Sequence, residues 1–328
     1  MKKCNDIPAD VTVCIATYNA QDFIARTLDS LLSQTHIRFK CVIADDVSTD
    51  KTISICSKYE KVDPRISLYS HKKRLGWVGN VNRSLSYVSD TKFMMIFPHD
   101  DVIEPTYLDK LIAQLDSNPR AVVAFSDMEV IYTDEAAKTI AYDSLCGVSG
   151  SRDRASIALN HEGRVFIAYR GVFRATVHEN TGGLRRHWRG EYAADIPWCV
   201  KLAINGEFIR IREKLYRKYS TKDGLSSQWK HNSLLNWIAV YCSCFQAIFV
   251  SNKPLKICLP LYFRTLLSMF SIVGWRVKRS YQKGFMYTYL NAYYGVCSCV
   301  RSIAGDRLWG YLRRVKSYVY PASVPRQH

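Results

Sequence analysis

Three times in its first 101 residues the chain runs a short apolar stretch straight into a polar stop. VTVCIA (11–16) meets Thr17-Tyr18-Asn19, FKCVIA (39–44) meets Asp45-Asp46, and FMMIFP (93–98) meets His99-Asp100-Asp101. Helical spacing separates the runs. Ile24, Leu28, Leu31 and Leu32 fall at i, i+4, i+7 and i+8, and Ser48, Thr49 and Asp50 can cap a helix over Ile53–Tyr59. ISLYS (66–70) reads as a further strand. Pro105 suits a first helical turn, Leu108, Leu111, Ile112 and Leu115 give that helix one buried stripe, and AVVAFSDMEVIY (121–132) follows as a fifth strand. Strands alternating with helices predict an α/β fold, a mostly parallel sheet covered on both faces. Ligands of such sheets bind beyond the carboxyl ends of the strands, where the three polar stops fall.

The remainder of this first region reads as a polar loop over 133–164, a strand near Val165–Phe173, a helix near Ala194–Ile204 and a strand near Glu207–Tyr219. Beyond about residue 226 the alternation stops and the charge balance changes. The 328 residues carry 46 Lys and Arg against 29 Asp and Glu, a net +17. Residues 231–328 hold thirteen of the basic residues and a single acid, Asp306, so a near-neutral region precedes a basic one. A hydrophobic content of 48% and a charged content of 23% exclude a disordered or fibrous chain.

Paired acids at a strand end have two readings. One is a turn in which Asp caps the next helix. The other is a hard-cation and nucleotide site, since Mg²⁺ or Mn²⁺ binds one or two carboxylates together with phosphate oxygens. Neither GxxxxGK[ST] nor GxGxxG follows the first strand, so glycine-cradle phosphate sites are excluded. The eleven cysteines include no CxxC, and the pairs Cys242/Cys244 and Cys297/Cys299 lie in apolar runs. They read as reduced thiols packed as small hydrophobes, which fits a reducing compartment. MKKCNDIPAD has no apolar segment behind its lysines and does not read as a signal peptide.

VTVCIATYNAQDFIARTLDSLLSQT, VIADDVSTDKT and FMMIFPHDDVIEPTYLDKL, in this order and spacing, resemble the nucleotide-binding half of a family 2 glycosyltransferase with the GT-A fold. The resemblance runs over about residues 10–225. It implies a GT-A domain over 1–225, with a nucleotide-sugar half at about 10–132 and an acceptor and catalytic half at about 133–225. It also implies that Tyr18 lines the base pocket beside the Ala16 backbone, that Asp46 accepts from the base, and that Asp100 lies against the ribose. Asp101 would bind the divalent metal, Mn²⁺ or Mg²⁺, and Arg74 would face the base or the diphosphate. In GEYAADIPWCVKLAINGEF the position of the general base is Asp195, taking a proton from the acceptor hydroxyl in a single inverting displacement; alone, an acid there also reads as a helix N-terminal residue.

Three departures qualify the resemblance. Pro98 stands where the first acid of a DxD would be, which leaves the division of roles between Asp100 and Asp101 open. Ala194 replaces the glutamate usual before the base. No QxxRW follows, since GLSSQWKHN (224–232) does not fit, so a non-processive enzyme adding one sugar is expected. Its donor would be a UDP- or dTDP-sugar and its acceptor a glycan or polyprenyl-linked hydroxyl, in O-antigen- or capsule-like surface polysaccharide synthesis. The alternative is a non-catalytic scaffold of the same fold. His99 could be a ligand or acid, Arg217, Lys218 and Lys222 could reach the diphosphate, and Trp188 and Trp198 could stack on an acceptor sugar, or each could be structural.

The extension 226–328 reads as helical, basic and aromatic. Over Ile257–Trp275, Arg264, Ser268 and Ser271 form a narrow polar stripe, which suits a helix lying in a membrane interface or packed on a neighbour. Nucleic acid is disfavoured, because the basic residues alternate with aliphatic runs that a phosphate groove would waste. An anionic membrane surface is the expected partner, with peripheral attachment at the cytoplasmic face of the inner membrane; a soluble helical subdomain and a spanning segment are the other readings.

Overall fold

The computed structural model describes residues 8–88, 90–132, 136–159, 165–220, 229 and 233–281. The chain divides into two compact units, Met1–Ser268 and Met269–His328. Lys222, part of GLSSQWKHN and the basic end beyond residue 281 lie outside the described residues.

The expected alternation opens the chain: β1 (Val11–Thr17), α1 (Ile24–Leu32), β2 (Phe39–Asp45), α2 (Thr52–Val62), β3 (Ile66–Ser70), α3 (Gly76–Leu85) and β4 (Phe93–Ile96). Next come β5 (Val102–Ile103), α4 (Tyr107–Ser117), β6 (Ala121–Tyr132), β7 (Lys138–Ile140) and α5 (Ser151–Ala158). A 3-10 helix (Val165–Arg170), β8 (Val172–Arg174), α6 (Ala175–Thr181), α7 (Asp195–Asn205) and β9 (Glu207–Ser220) precede two long helices, α8 (Leu234–Phe249) and α9 (Leu255–Tyr281).

The strands form one nine-stranded sheet in the order β3-β2-β1-β4-β8-β6-β9-β5, with β7 paired to β6. Its first four strands are parallel, in register Ala16↔Ala44 and Cys14↔Ile96. Antiparallel pairs enter with β8, so the far half is mixed. Every residue of β2 is buried, as expected of a strand covered on both faces. The stripes read from sequence are the buried ones: Ile24, Leu28 and Leu31 on α1, and Leu108, Leu111, Ile112 and Leu115 on α4.

Three differences matter. The segment expected as a loop over 133–164 contains β7 and α5. The strand expected over Val165–Phe173 is a 3-10 helix as far as Arg170, and only then a three-residue strand. A buried apolar run such as VFIAYR carries no period that separates the two conformations. Gly171 marks the change, because a Cβ there would lie 2.3 Å from the Ala124 carbonyl oxygen. Finally, Val240, Cys244, Ile248, Cys258 and Leu261 join the same hydrophobic core as the sheet. The boundary expected at residue 225 therefore falls inside the first compact unit. The cysteines among the described residues are thiols, mostly buried.

Candidate active site

The chain passes from β1 outward to β2 and β3, then returns to place β4 on the other side of β1. That reversal opens a crevice at the carboxyl ends of β1 and β4, the usual ligand position in such sheets. Backbone strain gathers around it. Asn19 (φ 45), Val47 (φ 64) and Ala193 (φ 48) adopt positive φ next to or near Tyr18, Asp46 and Asp195. For β-branched Val47 that conformation costs on the order of 1–3 kcal/mol and persists only where surrounding structure enforces it.

Tyr18, Asp46 and Arg74 come together. The Arg74 guanidinium lies 3.1 Å from the centre of the Tyr18 ring, and its Nε donates to Asp46 Oδ2 at 3.0 Å. Asp46 is buried and also accepts the backbone N–H groups of Leu75 (2.6 Å) and Gly76 (2.9 Å). The next two N–H groups, of Trp77 and Val78, go to Glu191 at 2.9 and 3.2 Å. Two carboxylates remote in sequence thus satisfy the four orphan donors at the start of α3, where their charge also matches the helix dipole. Both are therefore engaged in structure.

The acid pair is held from α1. Thr27 Oγ1 donates to the carbonyls of His99 (2.8 Å) and Asp101 (2.9 Å), and Arg26 to that of Asp100 (3.1 Å). His99 Nδ1 lies 3.0 Å from the Ala16 carbonyl, which accepts its proton and ties β1 to the pair across the crevice. The two carboxylates then part company. Asp101 is buried: its Oδ2 accepts from Arg170 Nε at 3.0 Å and from the Tyr216 hydroxyl at 2.7 Å, and its Oδ1 from the Tyr219 N–H at 3.3 Å. Burial pushes its carboxyl above the ordinary range, and the neighbouring Asp100 charge adds to this, against the pull of Arg170 and Lys218. Asp100 is partly exposed, and its carboxylate receives no hydrogen bond among the described residues.

Asp195 opens α7 with its carboxyl deep in the structure while part of the residue reaches the surface. Burial raises its pKa, opposed by the Arg170 charge and by the N–H groups of Asp195 and Ile196. A helix N-terminus normally lowers a carboxyl; here desolvation wins. Arg170 faces both Asp101 and Asp195. Burial alone would lower its guanidinium, but Asp101, Tyr216 and Asp195 hold it firmly protonated. Lys218 stands near the acid pair with its pKa lowered by burial and then by Arg170.

Sequence reasoning did not find Arg170, Tyr216 or Glu191, whose partners lie 69, 115 and about 114 positions away. No local spacing signals such contacts. Of the other candidates, Arg217 is paired with Glu104 and Glu129. Trp198 is a core residue whose Nε1 donates to the Gly182 carbonyl, and Trp188 is 61% exposed.

A divalent cation of the Mg²⁺ or Mn²⁺ class does not need a protein cage, and no group of three ligating side chains occurs among the described residues. One unpartnered carboxylate at the crevice, Asp100, fits the kind of site that such an ion completes with substrate oxygens.

TarS of S. aureus (residues 1–349, in complex with UDP) superposes with a TM-score of 0.66 at 15% identity, over 96% of this chain and 93% of that one. The mannosyltransferase PcManGT of Pyrobaculum calidifontis, in complex with GDP-Man and Mn²⁺, gives 0.52 at 15% identity over 98% and 83%. At these identities the likeness shows the fold. In sequence, an uncharacterized glycosyltransferase of Haemophilus influenzae is 29% identical over 142 residues, 43% of this chain and 41% of that protein. The succinoglycan biosynthesis protein ExoO of Rhizobium meliloti is 28% identical over 125 residues, 38% and 35% of the two. The chain thus matches less than half of either relative's length. The model of glycosyl transferase family 2 matches residues 12–178, half of the chain and all of the crevice except Glu191, Asp195 and the β9 residues, and on that match the chain belongs to glycosyl transferase family 2.

Proposed function

We propose that the protein is a non-processive, inverting glycosyltransferase that moves one sugar from a nucleotide-sugar donor to a hydroxyl of a glycan or polyprenyl-linked acceptor, in surface polysaccharide synthesis. The observation that carries the reading is Asp195: a deeply set carboxyl with a raised pKa, facing a fixed cation at the edge of the crevice. A carboxylate more basic than one in water is better suited to take a proton from an alcohol. In this reading it takes the acceptor proton as the hydroxyl attacks the anomeric carbon. The leaving diphosphate departs on the other side, so the sugar carbon inverts.

The donor base enters beside Tyr18, Asp46 and the Ala16 carbonyl. Because Arg74 covers the Tyr18 ring, it shifts aside as the base stacks. UDP is the favoured nucleotide, with dTDP next, since TarS binds UDP within the same fold. Asp100, open to the crevice, holds Mn²⁺ or Mg²⁺ and lies nearest the ribose and phosphates. Asp101, assigned to the metal from sequence alone, instead fixes that segment through Arg170 and Tyr216. A divalent ion supplies neutralisation of the leaving diphosphate. Lys218, beside the acid pair, adds a protein cation to the same task.

Attachment to an anionic membrane surface, at the cytoplasmic face of the inner membrane, completes the reading. Among the described residues no helix is long and apolar enough to cross a membrane. On α9, however, Leu255, Leu259, Phe263 and Leu267 recur every four residues and stay 70, 47, 38 and 42% exposed, flanked by Lys256 and Arg264. Such a face suits an interfacial helix.

The test is Asp195→Asn. Transfer should fall by about 10²–10⁴-fold, the usual worth of a general base, while UDP affinity stays within about twofold. Turnover near that of the unaltered protein would overturn the assignment.

A further inference from the structure

Along the outer face of α3 runs a groove of about 540 Å³ that shares Arg74 and the first turn of the helix with the crevice and leads away from it. The inner face of the helix packs Val78, Val81 and Leu85 into the core. The outer face presents Gly76, Gly79, Arg83 and Ser86 to the groove, with Arg74 at its head and Arg186 crossing from the loop before α7. The helix starts at Asp46, at the carboxyl edge of the sheet, and its last turn lies beside the middle of β1, where Cys14 Sγ reaches the Ser84 carbonyl. Arg83 is therefore about 10 Å down the helix from Gly76, at 1.5 Å per residue, and away from the reacting centre.

The floor is open because it is glycine. A Cβ on Gly76 would lie 2.7 Å from Arg186 Nη2, and one on Gly79 would lie 3.5 Å from the same atom. The walls are cationic. Of the acids near the head of the groove, Asp46 and Glu191 are already bound to the α3 N–H groups and to one arginine each. Arg186 is fixed by Glu191 and the Leu75 carbonyl, with further N–H donors free to turn outward. Arg83 is exposed and has no carboxylate partner among the described residues, its recorded neighbour being the Tyr87 ring at 5.1 Å. Lys72 and Lys73, both exposed, lead into Arg74. Guanidinium forks above a glycine floor match the planar, bidentate demand of phosphate oxygens.

We propose that this groove is an anion subsite for the acceptor, holding a phosphate or phosphodiester group remote from the hydroxyl that reacts. The proposal rests on the transferase reading above. A donor directed to Tyr18, Asp100 and Asp195 lies in the crevice, and the outer face of α3 is left for the other substrate.

The experiment measures binding of inorganic tripolyphosphate to the full chain by calorimetry at constant ionic strength, alongside UDP. Arg83→Ala should weaken tripolyphosphate about tenfold, equal to about 1.4 kcal/mol, and Arg83→Glu should weaken it further. UDP affinity should hold within about twofold in both. Lys61→Glu, the same charge change on an exposed residue of α2, serves as the control for the general basicity of the protein. Soluble oligo(glycerol phosphate) and vesicles carrying a prenyl phosphate then separate chain-borne from lipid-borne phosphate: loss of affinity for either on Arg83→Glu supports the subsite. Tripolyphosphate binding unchanged in Arg83→Glu, or matched by Lys61→Glu, would overturn it. So would a parallel loss of UDP, which would assign the groove to the donor. None of these readouts depends on Asp195 acting as base, so failure of the subsite is distinguishable from failure of the transferase reading.

Discussion

Asp101→Asn separates a metal ligand from a structural counterion. The side chains of Asp101 and Arg170 are 1% and 14% exposed and joined at 3.0 Å, and the Tyr216 hydroxyl gives the carboxylate a second strong donor. Removing one charge of a buried pair leaves the other uncompensated, at a cost of about 3–5 kcal/mol. The lower figure is the better expectation, because the amide oxygen still accepts from Tyr216 and Asp195 still faces Arg170. For a compact unit of this size each kcal/mol moves the unfolding midpoint by about 2–4 °C, so the variant should melt about 6–12 °C lower. The assay is thermal unfolding in metal-free buffer, repeated with Mn²⁺ and UDP. The companion Asp100→Asn, which breaks no hydrogen bond to its carboxylate among the described residues, should melt with the unaltered protein. It should lose the extra stabilisation that Mn²⁺ gives in the presence of UDP. If Asp101→Asn melted within about 2 °C of the unaltered protein without metal, the buried pair would not be what holds the acid segment. The metal would then belong to Asp101.

The raised pKa of Asp195 fixes a sign for pH dependence: a base whose carboxyl is harder to ionise gains its active form only above the ordinary carboxylate value, so the acid limb of kcat/KM should lie above pH 3.8, measured at saturating metal. An acid limb at or below that value would assign the base elsewhere. Glu191→Ala strips two N–H acceptors from the start of α3 and the partner of Arg186, and should cost about 1–2 kcal/mol by chemical denaturation, in the range of a lost helix cap. A double change, Leu259→Glu with Phe263→Glu, puts two charges on the exposed face of α9 and should lower co-sedimentation with anionic vesicles severalfold while the melting temperature holds, since neither side chain is in the core.

The parts of this molecule that were legible in the sequence are those governed by local period and local stops. VTVCIA and FKCVIA became β1 and β2 with boundaries shifted by at most a residue, because a strand buried on both faces can only be written as a continuous apolar run, and ISLYS became the partly exposed edge strand β3. Tyr18, Asp46 and the acid pair were visible for the same reason, as polar residues where such runs end. Two kinds of feature were hidden. One is structure without period: α3 is written GWVGNVNRSL, in which two glycines and two asparagines argue against a helix, yet the glycines clear the groove and Asn80 donates to the carbonyls of Thr17 and Ala44. The other is partnership at long range. The partners of Asp101, Arg170 and Tyr216, arrive from a 3-10 helix that reads as strand and from β9, so its buried pairing has no local signal. Within an acid pair at a strand end, sequence cannot tell which carboxylate is free and which is paired, since the two differ only in what the distant chain brings against them. The same logic applies to Glu191. An acid looked missing because Ala194 stands before Asp195, while Glu191, four residues ahead of Asp195, is present and ties that loop to the start of α3. A ligand that displaces Arg74 from Asp46 would therefore be felt, through the first turn of α3, at the loop that leads into Asp195.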